Sequence, residues 1–317
     1  MMKIVSLLPS ATEIVCALGL EDQLVAITHE CDFPSQITDR PAITASRISH
    51  DTLTSKEIDH AVRSQLDGHG SIYDLDTDLL ARLDPDLILT QELCDVCAVS
   101  YKQVEQAARM YVADSTVVSL EPTTIDGIFE TITLVGELTG VQEVAARVVG
   151  DLQARLDVVR HKTKNIADRP NVFLLEWLEP PFSPGHWVPQ QVEIAGGNPL
   201  LGRAGERSVT TTYEAIRASQ PEVLVLVPCG YYRDDTLRQL ANTVFPAFWL
   251  DIPAIKNGNV WALDATSYFS RPGPRVVDGA EILAKIFHPA IFGEPTPNEA
   301  IRVERSQLKF DLAAASA

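Results

Sequence analysis

Leu80-Ala81-Arg82-Leu83-Asp84-Pro85-Asp86-Leu87-Ile88-Leu89 and Ile216-Arg217-Ala218-Ser219-Gln220-Pro221-Glu222-Val223-Leu224-Val225 are two versions of one pattern. Each reads as a helix end, a proline that stops the helix, an acid, and a strand of leucine and β-branched residues. A single unit of this kind fits any α/β protein. Two of them, set on either side of a long helical stretch, point to two related lobes.

The surrounding sequence carries the same alternation. Strands are expected at Lys3 to Leu7, Leu24 to Thr28 and Val117 to Leu120 in the first half, and at Asn171 to Leu175 and Val260 to Leu263 in the second. Ser10 and Glu13 have capping-box spacing, so a helix is expected to start there and stop at Gly19. Val148, Leu152, Leu156 and Val159 lie on one stripe of a helix expected over Val141 to Lys164. The last helix is expected over Pro274 to Phe287. Ser46 to Thr77, polar and poor in β-branched runs, reads as an excursion from this pattern. Strands alternating with helices imply parallel sheets with crossover helices. The expected fold class is α/β: two Rossmann-like lobes joined by a single long helix, with a ligand cleft between the lobes. The boundaries are 1–140 for the first lobe, 141–168 for the connecting helix, 169–290 for the second lobe and 291–317 for a loosely attached tail.

Composition narrows the function. The chain has 317 residues, a net charge of −17 and 45% hydrophobic content, which suits a packed globular protein. Nucleic-acid binding through a broad basic face needs clustered Lys and Arg, so that partner is excluded. No stretch approaches the roughly 20 apolar residues of a membrane span, so the chain is not expected to be membrane-embedded. Nothing before Pro9 supplies the apolar core of about 7 to 15 residues that a secretory signal needs. As written, the chain is therefore expected in the cytoplasm; as a processed form, it would be periplasmic or extracellular. Five cysteines in a chain of this length are an odd number and not a disulfide framework.

Val5-Ser6-Leu7-Leu8-Pro9-Ser10-Ala11-Thr12-Glu13, followed by Leu18-Gly19, resembles the opening of the helical-backbone (class III) periplasmic binding proteins that serve ABC importers. The Pro-Asp-Leu-Ile-Leu element and the late Arg271-Pro272-Gly273-Pro274-Arg275 fit the same family. The sequence looks most similar to its cobalamin and iron-chelate branch, in a subgroup without a signal peptide and with Cys-x-x-Cys. The resemblance implies a non-enzymatic solute-binding protein whose ligand is a corrinoid such as cobalamin, or a related metal chelate. It also implies an importer membrane subunit as partner, with Asp78 and Glu214 as the carboxylates that would meet its basic residues.

A flat macrocycle calls for aromatic walls and a few polar anchors. Tyr73, Trp177, His186, Trp187, Tyr268 and Phe269 lie in or beside expected loops, and Arg271 offers a rigid fork of donors. No nucleophile elbow, Walker loop or dinucleotide fingerprint is present. A second constellation is His29-Glu30-Cys31-Asp32 with Cys94-x-x-Cys97, because both segments follow expected strands of one lobe. Convergence of His29, Cys31, Cys94 and Cys97 would make a site for zinc or another soft metal. The same cysteines also suit redox exchange, or packing as small buried hydrophobes. The alternative function is accordingly a cytoplasmic metal-binding or redox protein that uses these segments in the same fold.

Overall fold

The computed structural model describes residues 1–48, 53–69, 72–91 and 101–312. The chain divides into two compact units. Unit 1 comprises Met1–Leu53, Glu57–Pro122 and Asp126–Asp151; unit 2 comprises Thr54–Lys56, Thr123–Ile125 and Leu152–Ala317.

Along the first part of the chain run β1 (Ile4–Ser6), α1 (Pro9–Ala17), β2 (Leu24–Ala26), β3 (Thr44–Ser46), α2 (Ser55–His69), β4 (Tyr73–Leu75), α3 (Thr77–Leu83), β5 (Leu87–Thr90), α4 (Tyr101–Tyr111), β6 (Thr116–Ser119), α5 (Ile125–Thr139) and α6 (Gln142–Thr163). Unit 1 is built on a parallel four-stranded sheet of order β2-β1-β5-β6. Val5, Leu7, Leu80, Ile88 and Val104 fill one core beside it. The expected capping box does not form. Helix α1 starts at Pro9, one residue before Ser10, and Leu8 at its N-cap gives no side-chain bond. Proline presets the first helical φ and has no N–H to satisfy, so the hydroxyl is not needed there. Gly19, at φ +72°, ends the helix as expected. The polar excursion contains α2, and β4 within it pairs antiparallel with β3.

The remaining chain forms β7 (Asn171–Leu175), β8 (Phe182–Ser183), α7 (Val188–Ile194), β9 (Asn198–Pro199), β10 (Val209–Thr210), α8 (Tyr213–Ala218), β11 (Val223–Leu226), α9 (Arg233–Leu240), β12 (Val244–Pro246), α10 (Pro253–Lys256), β13 (Val260–Leu263), α11 (Val276–Phe287), α12 (Pro289–Phe292), β14 (Ala300–Arg302) and β15 (Lys309–Asp311). The main sheet of unit 2 has order β14-β13-β11-β7-β9, parallel except for β14. Its core includes Phe173, Ile216, Leu224, Phe245 and Trp249. Phe245 and Trp249 stack with centroids 4.7 Å apart. Burying side chains of this size supplies about 1.5–3 kcal/mol each, before ordering costs.

The paired sequence pattern is a structural repeat. Strand order β2-β1-β5-β6 corresponds to β9-β7-β11-β13. Asp84 and Gln220, the residues before the two prolines, take left-handed φ values of 47° and 50°. Asp86 accepts the Lys3 amide at 2.7 Å, and Glu222 accepts the Asn171 amide at 2.8 Å. In both copies, therefore, the acid after the proline ties the incoming strand to the start of its central neighbour.

Two expectations are corrected. The tail is not loose over its described length: β14 joins the main sheet beside β13, and β15 pairs with β12. These strands satisfy edge hydrogen bonds and need little apolar sequence to do so. Helix α6 spans 22 residues and contains the boundary between the units, but it is not the only passage between them, because Thr54–Lys56 and Thr123–Ile125 also belong to unit 2. The Ile125 amide donates to Gln190 Oε1 at 2.8 Å, which holds one of these pieces within unit 2. Within the same unit, Arg155 of α6 makes a forked pair with Glu281 of α11 and also meets Asp278. Among the described residues, no helix is long and apolar enough to cross a membrane.

Candidate ligand site

In parallel sheets, ligands gather beyond the carboxyl ends of the strands, where crossover loops leave open backbone. In unit 2 three such ends are tied together. Strand β7 runs into Glu176-Trp177, β11 into Cys229-Gly230-Tyr231, and β13 into a π-helical turn over Thr266–Ser270. The Cys229 amide donates to the Glu176 carbonyl at 2.9 Å, and the Thr266 amide donates to the Tyr231 carbonyl at 3.1 Å. Trp177 and Tyr231 meet with ring centroids 5.2 Å apart. π-Helical turns widen the backbone spiral and recur at functional sites. Here the turn presents Tyr268, which is half-buried.

The turn is pinned from beneath. Asp264 accepts the Ser267 amide at 2.8 Å and its hydroxyl at 2.6 Å. Gln191 of α7 donates to the Tyr268 carbonyl at 2.9 Å and to the Val276 carbonyl at 2.8 Å. A Cβ on Gly279 would lie 2.7 Å from the Tyr268 carbonyl oxygen, so only glycine lets α11 approach this closely.

The expected site residues separate into two groups. Trp177, His186 and Tyr268 are half-buried. Trp187, Phe269 and Arg271 are 5%, 3% and 7% exposed, and the Trp187 indole N–H donates to the Phe269 carbonyl at 2.9 Å. Trp187 thus braces the π-helical turn from inside. Burial beside Arg207 lowers the His186 pKa, favouring the neutral ring. The sequence reading had not singled out Glu176. Burial raises its carboxyl pKa to about 7, against opposing hydrogen bonds from Ser208 and the Gly185 amide. An acid directly after an apolar strand was the available signal.

The strand ends of unit 1 have different chemistry. His29 Nδ1 lies 2.8 Å from the Thr44 hydroxyl, and the ring meets Tyr73 at 5.5 Å. The Tyr73 hydroxyl donates to Glu30 Oε1 at 3.1 Å. Tyr73, 5% exposed, therefore belongs to the His29 cluster of unit 1. Burial lowers the His29 pKa, with Thr44 opposing. Cys31 is buried with its Sγ 3.0 Å from Thr12 Oγ1. Cys94 and Cys97 lie outside the described residues. Among the described residues, no group of three His, Cys, Asp or Glu side chains is placed to hold a metal. Cys16 is half-buried, and burial pushes its thiol up to about 12, which favours the protonated form.

Asp78 and Glu214 are exposed, and each is the second residue of its helix, α3 or α8. Asp76 caps α3 through the Leu79 amide at 2.8 Å, and Thr212 caps α8 through the Ala215 amide at 3.1 Å. The two carboxylates thus occupy matching positions in the repeat.

Residues 4–266 match the family described as periplasmic binding protein. The chain belongs to the periplasmic binding protein family. A vitamin B12-binding protein of Vibrio cholerae is 24% identical over 284 residues, covering 88% of this chain and 86% of the relative. An uncharacterised ABC transporter substrate-binding lipoprotein of Bacillus subtilis is 24% identical, over 92% of this chain and 82% of its own. Two solved structures share the fold. One is a periplasmic vitamin B12 binding protein of V. cholerae, with TM-score 0.65 and 22% identity, covering 91% of this chain and 97% of that one. The other is a periplasmic haem binding protein of Pseudomonas aeruginosa, with TM-score 0.68 and 20% identity, covering 95% and 99%. The periplasmic-binding-protein fold, with its paired α/β units, accounts for the repeat described above.

Proposed function

We propose that this binding protein takes up a corrinoid such as cobalamin, or a related flat metal chelate, and presents it to the membrane subunits of an ABC importer. The observation that carries the reading is the aromatic group at the strand ends of unit 2, where Trp177 and Tyr268 stand half-buried on a pinned backbone. Aromatic faces stack on a macrocycle, and a backbone fixed before binding reduces the ordering cost. Relatives named for vitamin B12 and haem support the ligand class. Relatives named as periplasmic or lipoprotein support work outside the cytoplasm. Asp78 and Glu214 are the carboxylates proposed to meet the importer, since both are exposed at matching helix starts. The role is binding and delivery, without catalysis.

Calorimetric titration with cyanocobalamin and with haemin tests this. Binding of at least one at micromolar Kd or tighter is expected, about −8 kcal/mol. Absence of heat and of spectral change for both at ~100 μM, roughly −5.5 kcal/mol, would overturn the ligand class.

A further inference from the structure

At the amino end of β7, the last turns of α6 and α7 and the segment entering the strand line a cavity of about 350 Å³. Three cations face it, Arg160, Lys164 and Arg169, beside Gln190 and one carboxylate, Glu193. The aromatic group lies at the other end of the same strand. The 5 residues of β7, roughly 16 Å of extended chain, separate the two places within unit 2. The walls of the cavity are held by the protein's own bonds. Thr163, 2% exposed, donates its hydroxyl to the Ile194 carbonyl at 3.0 Å and so joins the end of α6 to the end of α7. Arg169 spans the same two ends, donating to the Glu193 carbonyl at 3.4 Å and to the Thr163 carbonyl at 3.3 Å. Gln190 accepts the Ile125 amide through its Oε1, which leaves its NH₂ group as a donor.

Helix ends account for only part of this charge. Cations near a helix C-terminus balance its partial negative charge, and Arg169 fills that role by taking a carbonyl from each helix. Its guanidinium has five N–H groups, so three remain after these two bonds. Arg160 lies 3.0 Å from Asp157, but the two side chains are 45% and 69% exposed, a setting in which solvent screens most of the attraction. The Lys164 side chain has no hydrogen bond or ion pair among the described residues, and neither has that of Glu193. Three cations against one carboxylate leave an excess of positive charge, in a chain whose net charge is −17. We infer that this cavity binds a polyvalent oxyanion of the phosphate class. Two guanidinium forks and an ammonium around one space match the geometry and charge of phosphate oxygens. The volume is at the lower end of the range for small-molecule sites, which suits a diphosphate or a small phosphorylated compound. The inference stands apart from the chelate reading, because it uses different residues at the other end of β7.

Titration of the full chain with pyrophosphate, followed by amide 15N NMR, tests this. Two or three charge-assisted hydrogen bonds correspond to a Kd on the order of 1 mM or tighter. The titration therefore runs to ~10 mM at constant ionic strength, set with NaCl. Saturable shifts are expected at the amides of Lys164, Arg169 and Glu193, with affinity falling as NaCl is raised. Lys164→Ala should weaken binding roughly tenfold. Arg160→Ala combined with Lys164→Ala should remove it. Both side chains are exposed, so circular dichroism should show these variants folded. Glu193→Gln, which takes away the opposing charge and keeps the backbone carbonyl that Arg169 holds, should tighten binding about threefold. A wild type without saturable shifts at these amides would overturn the inference. Equal affinity in the wild type and the double variant would overturn it as well, because pyrophosphate would then be held elsewhere.

Discussion

The strand ends of unit 1 and unit 2 share a backbone plan and differ in what they display. Both units place a left-handed residue, a proline and an acid before the third-ranked strand of the same parallel order. Both acids take the amide at the start of the neighbouring strand. Unit 1 then presents His29, Thr44, Glu30 and Tyr73 in a hydrogen-bonded polar cluster. Unit 2 presents Trp177, Tyr231 and Tyr268 on a turn braced by Gln191 and Trp187. The frame is fixed by short-range backbone chemistry, and function is set by a few side chains after each strand.

The largest expected effect separates the units by packing. Gly136→Val in unit 1 forces its Cβ toward that of Ala145, 2.4 Å away, and Gly279→Val in unit 2 drives into the Tyr268 carbonyl. Each should cost about 3 kcal/mol in urea unfolding. Only Gly279→Val should also weaken ligand binding at permissive temperature, because it moves the π-helical turn. Equal loss of binding in both variants would break the distinction.

A smaller pair tests the repeat. Asp86→Ala and Glu222→Ala each remove one acceptor from a strand-start amide, and each should cost about 1 kcal/mol. Near-equal midpoint shifts are expected. A large shift in one and none in the other would show that the repeat is not energetically equivalent.

The smallest effects are in pH dependence, and they have opposite signs. Glu176 has a folded pKa raised to about 7 from 4.5. Its stabilising contribution is full below about 4.5 and is lost as pH rises through 7. The His29 pKa is lowered from 6.5, so its contribution is full at neutral pH and declines as pH falls through 6.5 toward the folded value. Thermal melts between pH 4.5 and 7.5 should show Glu176→Gln flattening the alkaline decline and His29→Gln flattening the acid decline. Identical pH profiles for wild type and both variants would contradict these assignments.

Much of the frame was legible because its signals are local. Pro85 and Pro221 mark helix ends, and the apolar runs at Leu87–Thr90 and Val223–Leu226 mark buried strands. The stripe Leu152, Leu156 and Val159 marks the long helix, and all three residues are buried. The site was less legible because its partners are distant in sequence. Trp187 looks like an exposed loop aromatic until the Phe269 carbonyl, 82 residues on, takes its N–H. Tyr73 joins His29 across 44 positions of chain, and Ser55 reaches Trp177 across 122. The last strands were missed because Ala300–Arg302 and Lys309–Asp311 are too short and too polar to show a period.

The central claim is that the strand ends of unit 2 hold the ligand. Equilibrium titration of Tyr268→Ala against wild type, with whichever of cyanocobalamin or haemin binds, tests it most directly. Tyr268 stands on the pinned turn, half-buried, with its carbonyl held by Gln191. With circular dichroism unchanged, the account predicts a loss of about 2 kcal/mol, roughly thirtyfold in Kd. An affinity equal to that of the wild type in a folded variant would contradict it.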